Sequence, residues 1–319
     1  MGLSELREKI DSLDIELQRL FEERMAICDE VAREKKRTNA PVLQGNREQQ
    51  IIDAVRGRSS EGFEQSSVDF INSIMAISRG RQKKLLSNSV TIPSGNKVNA
   101  VIACGGSSSR MGFNKLLHEI DGRAVILRTI DAFDKLEEIE KIVLTASADI
   151  KTELERLVSN EGYSTPVVIV EGGSTRQQSV ANGVLAIDEG CDYVCIHDGA
   201  RPFITADIIR SCISDAKQTG CAVVCVPVKD TIKQAEDMVV TDTPARETLF
   251  AAQTPQIIAR EIYLLSLESA KASGKEYTDD VSLCEAIGIM PRITNGSYDN
   301  IKLTTPEDIA LAESIAKGR

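Results

Sequence analysis

The chain has 319 residues, 42% hydrophobic and 27% charged, enough for about two globular domains and a core that needs no disulfide or metal staple. A formal net charge of −10, only 4% aromatic residues and no tryptophan exclude a general nucleic-acid binder, which needs a basic footprint or a base-stacking platform. The first 90 residues hold fifteen basic and fifteen acidic side chains, so the whole −10 falls on the remainder, and two units with different ligands are expected.

Eight cysteines include no CxxC pair, and the only histidines are His118 and His197. Reduced, buried thiols in a cytoplasmic protein are therefore expected rather than a zinc site. The N-terminus has no basic stretch followed by an apolar run, and no apolar run approaches the ~20 residues of a membrane span. Neither a signal peptide nor a membrane partner is expected.

Leu3, Leu6, Ile10, Leu13, Leu17 and Leu20 step by three and four, and Ile27 and Val31 continue the stripe. This predicts one long helix ending near Thr38, where Thr38-Asn39-Ala40-Pro41 breaks it, and a helix that long points to a bundle or coiled coil. A second helix is predicted over about 46–55, a polar break over Gly57 to Gly62, and a third helix over about 67–86. Ser87-Asn88-Ser89 and Pro93-Ser94-Gly95-Asn96 read as a linker. The predicted organisation is a helical domain over 1–88, a linker over 89–97 and a second domain over 98–319.

Extended by its own rule, the first stripe places Arg24 and Lys35 among its apolar positions, about 16 Å apart along the helix. Two readings are open. The side chains snorkel at the edge of the stripe, or the bundle interior holds an anionic ligand. Arg7 is too far along the same helix to share that ligand unless it comes from a second chain. Arg47-Glu48 and the pair Ser78 and Gln82 add polar groups.

Leu6-Arg7-Glu8-Lys9-Ile10-Asp11, Glu23-Arg24, Lys35, Pro41-Val42, Arg47-Glu48, Ser78 and Gln82 together resemble the all-helical chorismate mutase family over residues 3–85. The resemblance implies an intertwined helical dimer that rearranges chorismate to prephenate. It implies that Arg24 and the partner chain's copy of Arg7 bind the two carboxylates. Lys35 and Gln82 then stabilise the ether oxygen, Arg47 and Glu48 hold the ring-hydroxyl side, and Ser78 assists binding. Gln44 stands where that family often has an acidic residue.

After the linker, short apolar runs at 98–103, 141–146, 166–170, 192–197 and 221–226 alternate with helical stretches at about 125–135, 150–159, 176–188 and 206–218. That alternation predicts a parallel α/β sheet with helices on both faces. The first run leads into Cys104-Gly105-Gly106-Ser107-Ser108-Ser109-Arg110-Met111-Gly112-Phe113-Asn114-Lys115. It is neither a P-loop nor a dinucleotide fingerprint, but a Gly-rich loop after a strand suits phosphate. Arg110 and Lys115, five apart, suit a triphosphate. Asp198 is predicted at a strand's carboxyl end, where α/β sheets bind ligands and a carboxylate can hold Mg²⁺ against phosphates. His197 reads as structural.

With Glu171-Gly172-Gly173-Ser174-Thr175-Arg176-Gln177-Gln178-Ser179, His197-Asp198-Gly199-Ala200-Arg201-Pro202, Lys229-Asp230-Thr231, Gln253-Thr254-Pro255-Gln256, Tyr277-Thr278-Asp279-Asp280 and Asp299-Asn300-Ile301-Lys302, this set resembles the 2-C-methyl-D-erythritol 4-phosphate cytidylyltransferase family over residues 98–317. The resemblance implies a Rossmann-like, mostly parallel α/β nucleotidyltransferase fold with a β-arm that helps it dimerise. CTP and a polyol phosphate are its substrates and Mg²⁺ its cofactor. It places Arg110 and Lys115 on the triphosphate and Gly173, Ser174 and Ser179 near cytosine. Asp198 takes the nucleotide and metal side, with Arg201 beside it. Arg246 grips the polyol phosphate of the partner protomer, Thr231, Thr254 and Thr278 lie on the polyol side, and Lys302 contacts the reacting phosphates. The chain departs from that family's usual Ala-Ala-Gly at Cys104-Gly105-Gly106, from a usual alanine at Gly199 and from a frequent acid at Ser174.

A bifunctional cytoplasmic homodimer is expected, joining isoprenoid and aromatic amino-acid biosynthesis. The alternative is a cytidylyltransferase for ribitol 5-phosphate whose helical domain is a non-catalytic dimerisation or ligand-sensing module.

Overall fold

The computed structural model describes residues 2–38, 45–87, 91–105 and 112–318. Arg110, Gln44, Gly106 and Pro41-Val42 lie outside them. The chain divides into two compact units, one drawn mainly from Met1–Val90 and one mainly from Thr91–Ala270 and Pro291–Arg319.

The first unit is three helices, α1 (Leu3–Thr38), α2 (Gly45–Arg58) and α3 (Glu64–Ser87). The second helix runs three residues past the expected Val55, because its one interior glycine beyond the first residue, Gly57, costs a helix only ~1 kcal/mol. Met25 and Ala32 of α1 are buried, as are Val68, Met75, Ser78 and Gln82 of α3. A bidentate ion pair from Arg81 to Asp29 ties the same two helices.

The apolar stripe on α1, Leu3, Leu6, Ile10, Leu13, Leu17, Leu20, Ile27 and Val31, is exposed in the single chain. Helix α1 has 36 residues, ~54 Å of rise, against 24 residues and ~36 Å in α3. One chain has too little helix to cover the whole stripe.

The second unit opens with β1 (Val98–Cys104), the short hairpin β2 (Glu119–Ile120) and β3 (Arg123–Ala124), α4 (Val125–Asp134), β4 (Ile139–Ala146), α5 (Ala148–Ser159) and β5 (Val167–Glu171). It continues with α6 (Arg176–Leu185), β6 (Tyr193–Asp198), α7 (Ala206–Thr219) and β7 (Cys221–Pro227). A two-stranded arm, β8 (Gln234–Glu236) and β9 (Val239–Asp242), precedes β10 (Phe250–Ala259), α8 (Arg260–Ser273), α9 (Asp280–Ala286), β11 (Arg292–Asn295) and α10 (Glu307–Lys317).

The main sheet has seven strands in the order β11-β7-β10-β6-β1-β4-β5. Strand β10 runs antiparallel to both neighbours, and the other pairings are parallel. β1 and β6 are buried almost throughout, as strands covered on both faces must be. From β1 the chain steps to β4 and β5 on one side, then returns to place β6 on the other. That reversal opens a crevice at the carboxyl ends of β1 and β6.

Candidate active sites

The crevice of the second unit is a cavity of about 410 Å³. Six predicted residues line it: Lys115, Gly173, Ser174, Ser179, Asp198 and Lys302. Its floor is Asp198, the last residue of β6, and Gly105, which follows β1. One wall is the start of α6. Thr175 caps this helix by accepting from the Gln178 N–H, and Ser179 accepts from the Gly173 N–H at 3.0 Å. A Cβ on Gly173 would come within 2.3 Å of the Gln178 Cβ, so the loop needs glycine there. The uncapped amides and positive end of α6 suit an anion.

Three cations converge on Asp198. Lys302 Nζ is 2.8 Å from Oδ2, Arg176 Nε is 3.2 Å from Oδ1 and Arg201 Nε is 3.6 Å from Oδ2. Burial alone would raise the Asp198 carboxyl, but Arg176, Lys302 and Arg201 overcome it and hold the group well below the usual carboxylate range. Arg176 and the fully buried Asp280, bonded at 2.7 Å, are partners that the sequence reading did not single out.

The Lys302 segment is laced to this floor. Arg201 Nη1 donates to the Asn300 carbonyl at 2.7 Å, the Leu303 N–H donates to the Ala200 carbonyl, and Asn300 Nδ2 donates to the Thr254 carbonyl. Lys115 Nζ donates to the Leu303 carbonyl at 2.9 Å, which sets both lysines at one end of the cavity.

Thr254 lies behind the floor and is buried. Its Oγ1 accepts from the Asp198 N–H and donates to His197 Nδ1, each at 3.0 Å. His197 Nε2 faces the Arg201 carbonyl at 3.2 Å, so the proton sits on Nε2. Burial pushes the His197 pKa down to about 4, and the ring packs against Phe133 as a neutral support for the Asp198 loop.

Arg246, Thr231 and Thr278 are exposed and do not line this cavity. Arg246 lies on a 3-10 turn beyond the arm and donates to the Lys229 carbonyl at 3.2 Å.

The first unit has its own cavity, about 300 Å³, lined by Arg24, Lys35, Arg47, Glu48, Ser78 and Gln82. Arg24 Nη1 donates to Ser78 Oγ, and Lys35 Nζ donates to Gln82 Oε1 at 3.3 Å. Arg24 and Lys35 both face this cavity. Burial lowers the Lys35 pKa and Glu48 partly restores it. Arg79 and Cys28, not singled out in the sequence, also line the wall. Arg7 does not; it sits 17 residues before Arg24, about 25 Å along α1.

For a divalent cation, Asp198 is the one carboxylate among the described lining residues of the larger cavity. No cluster of three or more metal-binding side chains occurs among the described residues. This donor set fits a cation carried mostly by phosphate oxygens, the usual manner of Mg²⁺. No helix among the described residues is long and apolar enough to cross a membrane.

Comparison with known proteins covers both units. The sequence profile of 2-C-methyl-D-erythritol 4-phosphate cytidylyltransferase matches residues 98–318, and that of chorismate mutase type II matches residues 6–83. The cytidylyltransferase of Alkaliphilus oremlandii is 39% identical over 228 residues, 70% of this chain and 97% of its own. That of Caldanaerobacter subterraneus is 42% identical over 221 residues, 68% of this chain and 97% of its own. The crystal structure of 4-diphosphocytidyl-2C-methyl-D-erythritol synthase from Anaerococcus prevotii superposes with a TM-score of 0.64 at 30% identity, covering 70% of this chain and all of that one. The cytidylyltransferase structure from Thermus thermophilus gives 0.57 at 27%, covering 69% and 99%. The chain belongs to the 2-C-methyl-D-erythritol 4-phosphate cytidylyltransferase family, with a type II chorismate mutase domain fused ahead of it.

Proposed function

We propose that the chain is a bifunctional enzyme. Its second unit transfers CMP from CTP to 2-C-methyl-D-erythritol 4-phosphate, releasing pyrophosphate, and its first rearranges chorismate to prephenate. The observation that carries the transferase reading is the Asp198 cluster on the floor of the β1–β6 crevice, with Lys115 and Lys302 lining the same cavity. A phosphate oxygen of the polyol attacks the α-phosphorus of CTP as the bond to pyrophosphate breaks. Little covalent chemistry falls to the protein, so cations and positioning carry the rate. Lys115, Lys302 and Arg110 balance charge on the phosphates, and Gly173, Ser174 and Ser179 hold the base. Mg²⁺, when bound, would neutralise phosphate charge next to Asp198.

Arg246 acts on the polyol phosphate in the partner's cavity, and Thr231 and Thr278 lie on the polyol side. The exposed apolar tip of the arm, Met238, Val239 and Val240, supports a homodimer, and so does the uncovered α1 stripe. Pairing of two first units through the α1 stripe would bring the partner's Arg7 to the mutase cavity. There Arg24, Lys35 and Gln82 hold the reactive conformer and offset charge on the breaking ether, a pericyclic step with no proton transfer. All eight cysteines are free thiols, in keeping with a cytoplasmic setting. The named relatives support methylerythritol phosphate, not ribitol phosphate, as acceptor.

Pyrophosphate release across a panel of nucleotides and polyol phosphates tests the transferase. Release with ribitol phosphate but not with methylerythritol phosphate would sink it. Loss of chorismate absorbance tests the mutase. Arg24→Ala should abolish it, and unchanged turnover would defeat the site assignment.

A further inference from the structure

The loop between β5 and α6 brings Gly172, Gly173 and Ser174 to the wall of the nucleotide cavity, and Ser179 joins them from the first turn of α6. The backbone N–H groups of this loop and the hydroxyls of the two serines are its hydrogen-bond donors, and the structure commits each to an acceptor of the protein. The Gly172 N–H donates to the Ala146 carbonyl at 2.8 Å, and the Gly173 N–H donates to Ser179 Oγ at 3.0 Å. The Ser179 hydroxyl donates to the Thr175 carbonyl at 2.9 Å. Gln178 takes the rest: its Oε1 accepts from the Ser174 N–H at 3.1 Å and from the Ser174 hydroxyl at 2.7 Å.

The direction of that last bond follows from its neighbour. A backbone N–H can only donate, so the amide oxygen of Gln178, and not its NH₂ group, faces Ser174. An amide oxygen only accepts, so the shared proton belongs to Ser174. Ser174 Oγ therefore turns lone pairs, and no proton, toward a ligand in the cavity.

We propose that Gln178 is a positioning residue for base selection: by holding the Ser174 N–H and hydroxyl proton, it presents an acceptor to the 4-position of the pyrimidine and so favours cytosine over uracil. The proposal rests on the nucleotidyl-transfer reading of this cavity. Gln178 is not itself among the described lining residues, so it acts through Ser174.

The two bases differ where this wall is selective. Cytosine carries an amino donor on carbon 4, and uracil carries an oxygen acceptor there. The amino group finds a partner in Ser174 Oγ, whereas the uracil oxygen meets only lone pairs and loses the hydrogen bond it made to water. A serine by itself is indifferent, because its hydroxyl rotates to donate or to accept. Without the Gln178 side chain, the Ser174 N–H and hydroxyl are released, and both can donate to uracil.

The test measures pyrophosphate release from CTP and from UTP, with methylerythritol phosphate as acceptor, in the full-length chain. Gln178→Ala keeps the Cβ that packs on Gly173 and is a good helix former, and circular dichroism checks its fold. The CTP-to-UTP ratio of kcat/KM should fall about tenfold in Gln178→Ala. Gln178→Glu, whose carboxylate accepts from the same two donors, should keep the ratio. Adding Ser174→Asp to Gln178→Ala should restore it, because a carboxylate can only accept. The triphosphate of the pyrimidin-2-one riboside keeps the N3 of cytosine and lacks the amino group. It should fall behind CTP in wild type and by less in Gln178→Ala, which places the contact at the 4-position. Merely structural damage would slow both nucleotides alike, so an unchanged ratio in folded Gln178→Ala overturns the proposal. If Gln178→Ala does not fold, Gln178→Met, which keeps the length of the side chain without its amide oxygen, gives the same comparison. Wild-type protein that releases no pyrophosphate from either nucleotide would defeat the transferase reading, while the ratio of CTP and UTP affinities by calorimetry would still decide the role of Gln178.

Discussion

Arg176 Nη1 stands 2.7 Å from Asp280 Oδ2 while its Nε stands 3.2 Å from Asp198 Oδ1, so one guanidinium spans the buried start of α9 and the floor of the nucleotide cavity. Asp280 is 1% exposed. Burial raises its pKa, and Arg176 works against that rise. Arg176→Met would leave this carboxylate buried without its cation, at a cost of about 3 kcal/mol. The loss should appear as a lower urea midpoint. Asp280→Asn keeps a polar partner for Arg176, so it should cost less stability than Arg176→Met. The double variant should lose less than the sum of the two single variants, because they share one interaction. Arg176→Met unfolding at the wild-type urea concentration would show that the pair has no structural role.

The neutral His197 gives the fold a specific pH dependence. Its folded pKa of about 4 lies below the 6.5 of an unperturbed imidazole, because burial disfavours the cation. The unfolded chain therefore binds the proton more readily. Stability from this group is complete above pH 6.5 and is lost as pH falls from 6.5 toward 4. The loss across that window is about 3 kcal/mol. Asp198, whose folded carboxyl is also depressed, adds its loss only below the ordinary carboxylate range. Unfolding free energies measured from pH 7 to pH 4 should fall in wild type and run flatter in His197→Gln. Parallel curves would contradict a neutral buried His197.

These two relationships mark where the sequence stops being informative. The three helices and five parallel strands follow from hydrophobic periodicity, and helix α1 ends at the expected Thr38. Strand β10 did not stand out, because Thr254-Pro255 interrupts its run and proline within a run argues against a strand. Arg176 and Asp280 are 104 residues apart, and the ion-paired Arg79 and Glu48 are 31 apart. Arg176, Asp280 and Glu48 sit in recognisable motifs, as Asp198 and Lys302 do, but nothing local in either segment marks which residue is whose partner. Periodicity identified the apolar face of α1 but not what covers it, since burial depends on neighbours that no single helix encodes.

Arg246 is exposed beyond the arm and bonded only locally to the Lys229 carbonyl, so it offers a direct test of the dimer. Arg246→Ala and Lys302→Ala should each be nearly inactive as transferases. If Arg246 serves the partner's cavity, unfolding and refolding the two together should restore about a quarter of wild-type sites, the statistical yield of mixed dimers with one intact site. Equal inactivity of the mixture and of its components would mean that Arg246 and Lys302 belong to the same chain's site.

Cys104 and Gly199 meet where β1 and β6 end, directly beneath the nucleotide cavity. A Cβ built on Gly199 would lie 3.1 Å from the Ala103 carbonyl oxygen, 3.2 Å from Ile126 Cδ1 and 3.3 Å from Cys104 Sγ. Gly199 thus makes room for a thiol where the family's usual alanine at 104 is smaller. Gly199→Ala should cost about 1 kcal/mol by overpacking. Part of that cost should return in Cys104→Ala/Gly199→Ala, because removing Sγ clears one of the three close approaches. The Ala103 carbonyl, held in the β1 ladder, keeps the rescue incomplete. Urea midpoints of the four proteins form a double-mutant cycle, and a coupling energy of about 0.5 kcal/mol or more is expected for side chains in direct contact. Strict additivity would mean that the backbone at Ala103, and not the thiol, sets the glycine requirement.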